Sequence, residues 1–306
     1  MMDPHVLSQV YPSDRLSTPQ TGECLHALIK KANCKLRSKQ MNKIIRYPKS
    51  EKYSNNLGII YAECSGPGGL QLTEFMAEKM CLHRDARLLD IGIERGYQTC
   101  FLAKEYGVRV IGLDPDDDRS DGIPHIEHLM RNARIWGIEQ QVLGLKLGVP
   151  DTHLSANTFD FVHSTTTLEM VRGFLGEKVY RRCLSEILRV LRPGGIFGLG
   201  EPMHLDVPIP EDLAPTYTRG TGAGPEGWAK CFVTIEETTR ACRETGFDIL
   251  EAGNAPDGWT WWDQFSRNDP YCKSDPEGEA RIIQQDGGRW LTYGYVIARK
   301  PGSSKE

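Results

Sequence analysis

The chain has 306 residues, a net charge of −4 and a sequence pI near 6.1. This length provides for one large or two modest domains, and the acidic balance excludes a basic field that would attract nucleic acid or an anionic membrane. No window approaches the ~18 apolar residues of a membrane span, and no secretory signal pattern is present. We therefore expect a cytoplasmic protein without nucleic acid or membrane partners.

The nine cysteines are odd in number and sit singly, without a CxxC pair. Such usage is typical of a reducing compartment, where thiols act as small buried hydrophobes. A zinc site would need clustered ligands, which the spacing does not supply. The sequence therefore predicts no metal site, and it gives no indication of oligomeric state.

The first part of the chain, residues 1–62, is polar and mildly basic and is predicted to be a partly flexible N-terminal arm. A domain is expected from residue 63 to residue 301. Within it, "LQLTEFMAEKM" has the apolar spacing of a helix, and "LLDIG" then reads as a buried strand.

Strand patterns and helix patterns then alternate. "VIGLDP", "QVLGLKLG", "FDFVHS" and "IFGLGEP" read as strands, and helical segments separate most of them. This alternation predicts an α/β fold with a mostly parallel sheet covered on both faces. "RPGG" is predicted to stop the helix before the fifth strand, and Thr234 with Glu237 predicts a capping box.

Residues 203–232 interrupt this rhythm. They are rich in proline and glycine, including "RGTGAGPEGW", and are predicted to form a lid insertion whose run from Gly220 to Gly227 is mobile without ligand. After it, "DILEAG" and "RWLTYGYVIARKP" read as two closing strands, the second alternating like an antiparallel strand.

A candidate ligand site lies at the first strand-to-helix turn. Gly92 and Gly96 can let a ligand approach the backbone there. Asp114 follows Asp90 by 24 positions and ends the second strand, where an acid can accept two ribose hydroxyl hydrogen bonds. Glu94 occupies the position where such a loop would normally carry its central glycine.

The segments "LLDIGIERG", "VIGLDP", "FDFVHSTTTLEMV" and "LRVLRPGGIFGLGEP" resemble the successive motifs of class I S-adenosylmethionine-dependent methyltransferases, particularly the small-molecule branch. The resemblance runs from about Leu70 to Pro301. It implies a Rossmann-like, doubly wound sheet of seven strands with the last one antiparallel, S-adenosylmethionine as cofactor, and methyl transfer to a small molecule.

By position, the resemblance places Asp90 and the Gly92–Gly96 backbone near the methionine part of the cofactor and Asp114 at the ribose. Tyr61 is the candidate aromatic that covers the cofactor. Val149 stands where an acid commonly meets the adenine amine, and nearby Asp151 is the candidate substitute. Glu94 is expected to turn outward, neutralised by the adjacent Arg95.

On the acceptor side, the resemblance places His163 at the end of strand four, facing the cleft, with Glu201 and His204 after strand five. A histidine there could act as a base, although proximity alone can supply much of the rate. "DGWTWWDQF" could form an aromatic cage for a cationic amine or pack in the core. The aromatic residues of this segment are Trp259, Trp261, Trp262 and Phe265.

The sequence therefore favours a methyltransferase with a small-molecule substrate. Two alternatives stay open: a non-catalytic binding module with an altered cofactor loop, for which Glu94 and Val149 argue, and an arsenite or other thiophilic-acceptor methyltransferase. The second would depend on Cys64 and Cys231, although "HSTTTLEM" lacks the cysteine that such enzymes would show.

Overall fold

In the computed structural model, the described residues are 46–218, 227–274 and 278–302. All secondary-structure elements of the described residues lie within the compact unit Tyr47–Glu306. Most of the predicted N-terminal arm, residues 1–45, lies outside the described residues, as does the glycine-rich run 219–226. The predicted mobility of that run therefore stays a prediction.

Seven strands form a single sheet in the order β3-β2-β1-β4-β5-β7-β6. Neighbouring strands from β3 to β5 pair in parallel, whereas β7 runs antiparallel to both β5 and β6. The predicted α/β Rossmann-like, doubly wound fold with an antiparallel last strand is confirmed. The strands are β1 (Arg87–Ile91), β2 (Arg109–Leu113), β3 (Val142–Leu145), β4 (Phe159–Thr165), β5 (Leu191–His204), β6 (Asp248–Asn254) and β7 (Leu291–Arg299).

Helices cover both faces of this sheet, and a short 3-10 helix, Ser50–Asn56, precedes them. None of the described helices combines the length and apolar character that crossing a membrane requires. The α-helices are α1 (Leu57–Glu63), α2 (Gly69–Met80), α3 (Tyr97–Tyr106), α4 (His125–Trp136), α5 (Leu168–Leu175), α6 (Glu177–Val190), α7 (Ala214–Tyr217), α8 (Trp228–Cys231), α9 (Ile235–Thr245), α10 (Gly258–Asn268), α11 (Pro270–Ser274) and α12 (Glu279–Asp286).

Local chemistry sets several helix ends. The Thr234 hydroxyl accepts a hydrogen bond from the Glu237 backbone N–H, and the Glu237 carboxylate accepts one from the Thr234 N–H, so the predicted capping box at α9 is confirmed. Gly137 ends α4 in the left-handed conformation with φ 69°. These ends fix where the chain turns back towards the sheet.

The central strands are buried on both faces. Leu88 packs in one hydrophobic cluster, and its neighbour Leu89 packs in the other, because successive side chains point to opposite faces of a strand. The same holds for β7, where Thr292 and Val296 are buried as well as Tyr293. The alternation seen in its sequence therefore separates two covered faces, not a core face from a solvent face.

One predicted boundary differs from the structure. Helix α6 ends at Val190, but β5 begins at Leu191, so "RPGG" lies within the first part of the strand. This part is irregular, because the pairing of β4 with β5 shifts register between Phe159 and Phe161. Ahead of the predicted start of the domain at 63, Ile60 and Tyr61 of α1 are already buried. The domain boundary itself stays a prediction.

The predicted lid, residues 203–232, is partly structured. Strand β5 continues to His204, and α7 and α8 follow. Tyr217 and Trp228 are buried, and their rings stack with centroids 5.6 Å apart. The described part of the insertion is therefore packed on the domain, and its closure over a ligand stays a prediction.

Candidate functional site

A cavity of about 470 Å³ opens at the carboxyl ends of β1 and β2, where open α/β sheets usually bind ligands. We call it the first cavity. It is formed by the turn after β1, the tip of β2, the loop after β3 and one face of α5. Its lining residues are Ser65, Ile91, Gly92, Glu94, Leu113, Asp114, Pro115, Asp116, Gly148, Val149, Thr166, Thr167, Met170, Val171, Phe174 and Leu175.

The charged groups in the lining of the first cavity are all acidic: Glu94, Asp114 and Asp116. No lysine, arginine or histidine is among the described residues that line it. A phosphate-rich ligand would be repelled there, whereas a ligand with positive charge would be attracted. The rest of the lining is mainly apolar and suits a flat ring.

Asp114 is held in place by the loop that it faces. Its carboxylate accepts hydrogen bonds from the backbone N–H groups of Glu94, at 2.9 Å, and of Asp116, at 3.1 Å. Burial raises the pKa of Asp114, and these two hydrogen bonds oppose that rise. The side chain is thereby fixed at the cavity wall, and its predicted contact with a ribose stays a prediction.

Glu94 lines the first cavity and has a left-handed backbone, with φ 47°. The predicted neutralisation by Arg95 is wrong, because the Arg95 Nε lies 2.6 Å from the Asp118 carboxylate and the guanidinium also contacts Glu63. Burial, reinforced by the negative charge of Asp114, raises the pKa of Glu94 to about 8. This carboxyl is therefore mostly protonated at neutral pH.

The two glycines of the turn are explained by internal packing. A Cβ added to Gly92, whose φ is 74°, would lie 2.6 Å from Thr167 Cβ. A Cβ added to Gly96 would lie 2.8 Å from Leu129 Cβ. Gly92 lines the first cavity, but Gly96 serves the contact between the turn and α4.

Asp90 and His163 form a buried pair beneath the first cavity. Their register positions in β1 and β4 are adjacent, and His163 Nδ1 lies 2.7 Å from Asp90 Oδ1. Asp90 also accepts a hydrogen bond from the Thr99 hydroxyl at 2.7 Å. Neither residue is among those that line the first cavity, so His163 does not face the cleft as predicted.

The loop after β3 brings Val149 to the wall of the first cavity, as predicted from its position. Asp151, its candidate substitute, is exposed and pairs with Arg182 at 3.2 Å. Asp116 is the acid that lies in the lining together with Val149. Glu94 and Asp114 are the other acids of this lining.

A second cavity, of about 520 Å³, shares Ser65, Thr166 and Met170 with the first. Its walls are largely aromatic, and two glutamates, Glu169 and Glu279, contribute to them. Its other lining residues are Gly66, Pro67, Pro202, Trp228, Phe232, Trp262, Phe265, Tyr271, Gly278 and Ile282. The two cavities therefore meet at three shared side chains.

Some aromatic residues of α10 line a cavity, as an aromatic cage would, and others do not. Trp262 and Phe265 line the second cavity. Trp261 is fully buried and packs against Tyr47 with ring centroids 5.6 Å apart. Trp259 lies at the surface with 37% exposure.

Tyr61 and His204 lie away from both linings. Tyr61 is buried and packs edge-on against Phe265, with ring centroids 5.7 Å apart, so it supports a wall of the second cavity from behind. His204 stacks on Trp290 at 4.5 Å and its Nδ1 donates to the Leu205 carbonyl at 2.7 Å. In this arrangement both residues position their neighbours, and their predicted contacts with cofactor and acceptor stay predictions.

Glu201 is completely buried beside the second cavity, in a cluster with Glu169, Arg172 and Tyr180. The Arg172 guanidinium lies 3.6 Å from Glu201 Oε1 and 3.6 Å above the Tyr180 ring. Burial raises the pKa of Glu201 to about 7 and that of Glu169 well above its ordinary value. Glu201 therefore does not line the second cavity, whereas Glu169 does.

Cys64 and Cys231, on which a thiophilic-acceptor methyltransferase would depend, are both buried. Cys231 Sγ donates to the Glu169 carbonyl at 3.0 Å, and Cys64 is 2% exposed. Burial raises the pKa of each thiol, so neither supplies a thiolate at neutral pH. This environment disfavours capture of a thiophilic acceptor.

Asp118, Asp121 and His128 are near enough to one another to share a metal ion, with ligand atoms within 4.8 Å. The Arg95 guanidinium forms ion pairs with two members of this group, with Nε 2.6 Å from Asp118 and Nη2 3.6 Å from Asp121. Arg95 therefore supplies the positive charge that a metal ion would otherwise bring to these carboxylates.

Sequence reasoning missed Ser65, Thr166 and Glu169. Ser65 is anchored by the Gln98 side chain, which accepts from its N–H at 2.8 Å. Thr166 has a left-handed backbone, with φ 49°, and its hydroxyl meets the Tyr293 hydroxyl. The run "TTTLEM" directly after β4 was the available signal, because side chains at the carboxyl end of a parallel strand face the ligand crevice.

Comparisons with known proteins agree with this geometry. Residues 65–252, more than half of the chain, match the family described as methyltransferase domain. The sterol 24-C-methyltransferase of Yarrowia lipolytica is 27% identical over 180 residues, which are 57% of this chain and 42% of that protein. The erythromycin 3''-O-methyltransferase of Saccharopolyspora erythraea is 24% identical over 272 residues, covering 81% and 84%.

Among solved structures, a SAM-dependent methyltransferase from Thiobacillus denitrificans in complex with S-adenosyl-L-homocysteine has a TM-score of 0.58 and 19% identity. The match covers 80% of this chain and 96% of that one. The chain spans about half the length of the sterol methyltransferases that it matches, from 42% to 55% in two of them.

Proposed function

Because this chain belongs to the methyltransferase domain family, we propose that it is an S-adenosylmethionine-dependent methyltransferase that acts on a small-molecule acceptor. The observation that carries the proposal is that every ionisable side chain in the lining of the first cavity is acidic, with Asp114 and Asp116 beside Glu94 at the carboxyl ends of β1 and β2. S-adenosylmethionine carries a sulfonium and an ammonium against one carboxylate. Such a ligand suits this lining, whereas the pyrophosphate of a dinucleotide does not.

In the proposed complex, Asp114 accepts hydrogen bonds from the ribose hydroxyls, because its carboxylate is already fixed at the wall. Glu94 meets the positive end of the amino acid part, and Val149 packs against the adenine ring. Asp90 and His163 support the turn from below. The cofactor supplies an electrophilic methyl group, and the chain positions the two reactants.

The second cavity is the proposed acceptor site. It joins the first at Ser65, Thr166 and Met170, so an acceptor within it is adjacent to a ligand in the first cavity. The walls provide an apolar, water-poor environment in which placement of the two reactants supplies much of the rate. Histidines His163 and His204 are not needed as bases in this arrangement.

Calorimetry with S-adenosylmethionine and S-adenosylhomocysteine tests the proposal. We expect micromolar binding of one molecule per chain, and Asp114→Asn as a matched variant that weakens it. A non-catalytic binding module for another ligand would show no cofactor binding even at high concentration. Mass spectrometry of acceptor panels incubated with labelled cofactor then separates an enzyme from a module that binds the cofactor without transfer.

A further inference from the structure

The inference concerns the acceptor and rests on the proposed function. Glu169, Glu201 and Arg172 form a buried cluster in which two carboxyl groups share one guanidinium. Arg172 also donates to Glu177 through Nε, at 3.0 Å, and covers the Tyr180 ring. Arg172 can compensate Glu201, at 3.6 Å, and the second carboxyl is instead held neutral, because burial and the nearby Glu201 raise its pKa well above the ordinary value.

Glu169 is that second carboxyl. It is 0% exposed, and its carboxyl oxygens, like those of Glu201, have no hydrogen-bond partner among the described residues; unlike Glu201, Glu169 belongs to the lining of the second cavity. The other glutamate of the second cavity is already engaged, because Glu279 accepts from Trp262 Nε1 at 2.6 Å. A buried carboxyl without a partner is costly, so this position is explained if a ligand completes it.

Aromatic rings line the cavity whose wall includes Glu169. Trp228, Phe232 and Trp262 lie on the wall of the same cavity, and their centroids are 5.4 to 5.7 Å apart in successive pairs. The faces of such rings attract a cation, particularly where water is excluded. The cavity thus offers both a negative group and an aromatic surface, the two features that recognise a positively charged nitrogen on an apolar skeleton.

We propose that the second cavity binds an apolar primary or secondary amine as methyl acceptor and that Glu169 pairs with its ammonium group. The entering ammonium compensates the ionised carboxylate of Glu169 in place of its proton, while Arg172 stays paired to Glu201. Neutral alcohols of the same shape lack that compensation. The preference for an amine therefore follows from the carboxyl of Glu169 in the cavity wall.

The pairing also provides for the chemistry. The ammonium gives one proton to the Glu169 carboxylate and becomes a neutral amine with a free electron pair. Its nitrogen then forms the new N–C bond while the S–C bond of the sulfonium breaks and that electron pair stays on sulfur. The products are a methylated ammonium and S-adenosylhomocysteine, and Glu169 holds the proton until release.

The test compares tryptamine with tryptophol, which share one skeleton and differ in ammonium against hydroxyl. Binding to the full chain is measured by calorimetry with S-adenosylhomocysteine present, and N-methylation by mass spectrometry with S-adenosylmethionine. We expect tryptamine to bind more tightly and to be methylated on nitrogen. Glu169→Gln should weaken tryptamine by roughly thirtyfold or more, as for loss of a buried charge partner, and leave tryptophol unchanged.

Two further variants complete the design. Glu169→Asp keeps the charge and should retain part of the amine preference, whereas Glu139→Gln changes an exposed glutamate and should retain all of it. S-adenosylhomocysteine binding and circular dichroism report folding in each variant. Equal binding of the two probes by the unmodified chain, equal behaviour of Glu169→Gln towards both, or no binding of either probe would overturn the inference.

Failure of the inference is distinguishable from failure of the proposed function. If S-adenosylhomocysteine binds but the amine preference is absent, only the acceptor assignment is wrong. If the cofactor does not bind at all, the proposed function falls, and the acceptor assignment falls with it.

Discussion

Replacing Glu94 with glutamine should change how the stability of the protein depends on pH. In the folded chain, burial and the charge of Asp114 raise the pKa of Glu94 from 4.5 to about 8. The folded state therefore holds a proton between pH 4.5 and 8 that the unfolded state has already released. The stability of the unmodified protein thus falls as pH rises through this window, because unfolding releases the proton.

The magnitude of this pH dependence follows from the single proton that Glu94 binds. Each pH unit within the window changes the free energy of unfolding by about 1.4 kcal/mol. Between pH 5.5 and 7.5, the Glu94→Gln protein should gain roughly 2 to 3 kcal/mol relative to the unmodified one, since glutamine does not titrate. Above pH 8 the difference should level off.

Denaturant unfolding without cofactor, at pH 5.5, 6.5, 7.5 and 8.5, measures this difference. Glu139→Gln, at an exposed position of similar chemistry, is the matched control. If the curves of unfolding free energy against pH stay parallel for Glu94→Gln and the unmodified protein, Glu94 has an ordinary pKa and the assigned environment of the first cavity is incorrect.

Asp114→Ala should weaken S-adenosylmethionine binding by about 1 to 3 kcal/mol, because it leaves the ribose hydroxyls without a partner; calorimetry that returns an unchanged affinity would remove Asp114 from the site. Gly92→Ala should destabilise the fold by roughly 2 kcal/mol or more in thermal unfolding, since its Cβ would overlap Thr167. Gly122→Ala is its control, because Gly122 has φ 73° but open space around it, and equal losses would contradict the packing explanation. Cys64→Ala should retain methyl transfer measured by mass spectrometry, and loss of transfer with cofactor binding intact would restore the thiophilic reading.

The architecture could be predicted because local patterns agree with it. Gly137 ends a helix, Thr234 begins one, and the apolar runs of the strands follow from their burial on both faces. The first cavity was predictable at Asp114 for the same reason, since its place at the tip of β2 follows from chain order alone.

The acceptor side could not be predicted in this way. Glu169 is brought next to Glu201 by the pairing of β4 with β5 and by the start of α5, which are contacts between distant parts of the sequence. His163 was misplaced because its strand position gave the end of β4 but not the direction of the ring, which turns to Asp90. The pairing of Arg95 with Asp118 likewise depends on a loop whose conformation the sequence pattern did not define.

The position of β7 has a consequence for how the sheet is assembled. Strand β7 follows β6 along the chain but lies between β5 and β6, where it is the strand partner of both. Until Leu291–Arg299 is in place, β5 presents an unpaired edge and β6 has no neighbour to join. Unpaired edges of this kind attract other chains. A chain that lacks these nine residues should therefore aggregate during synthesis rather than lose a single strand.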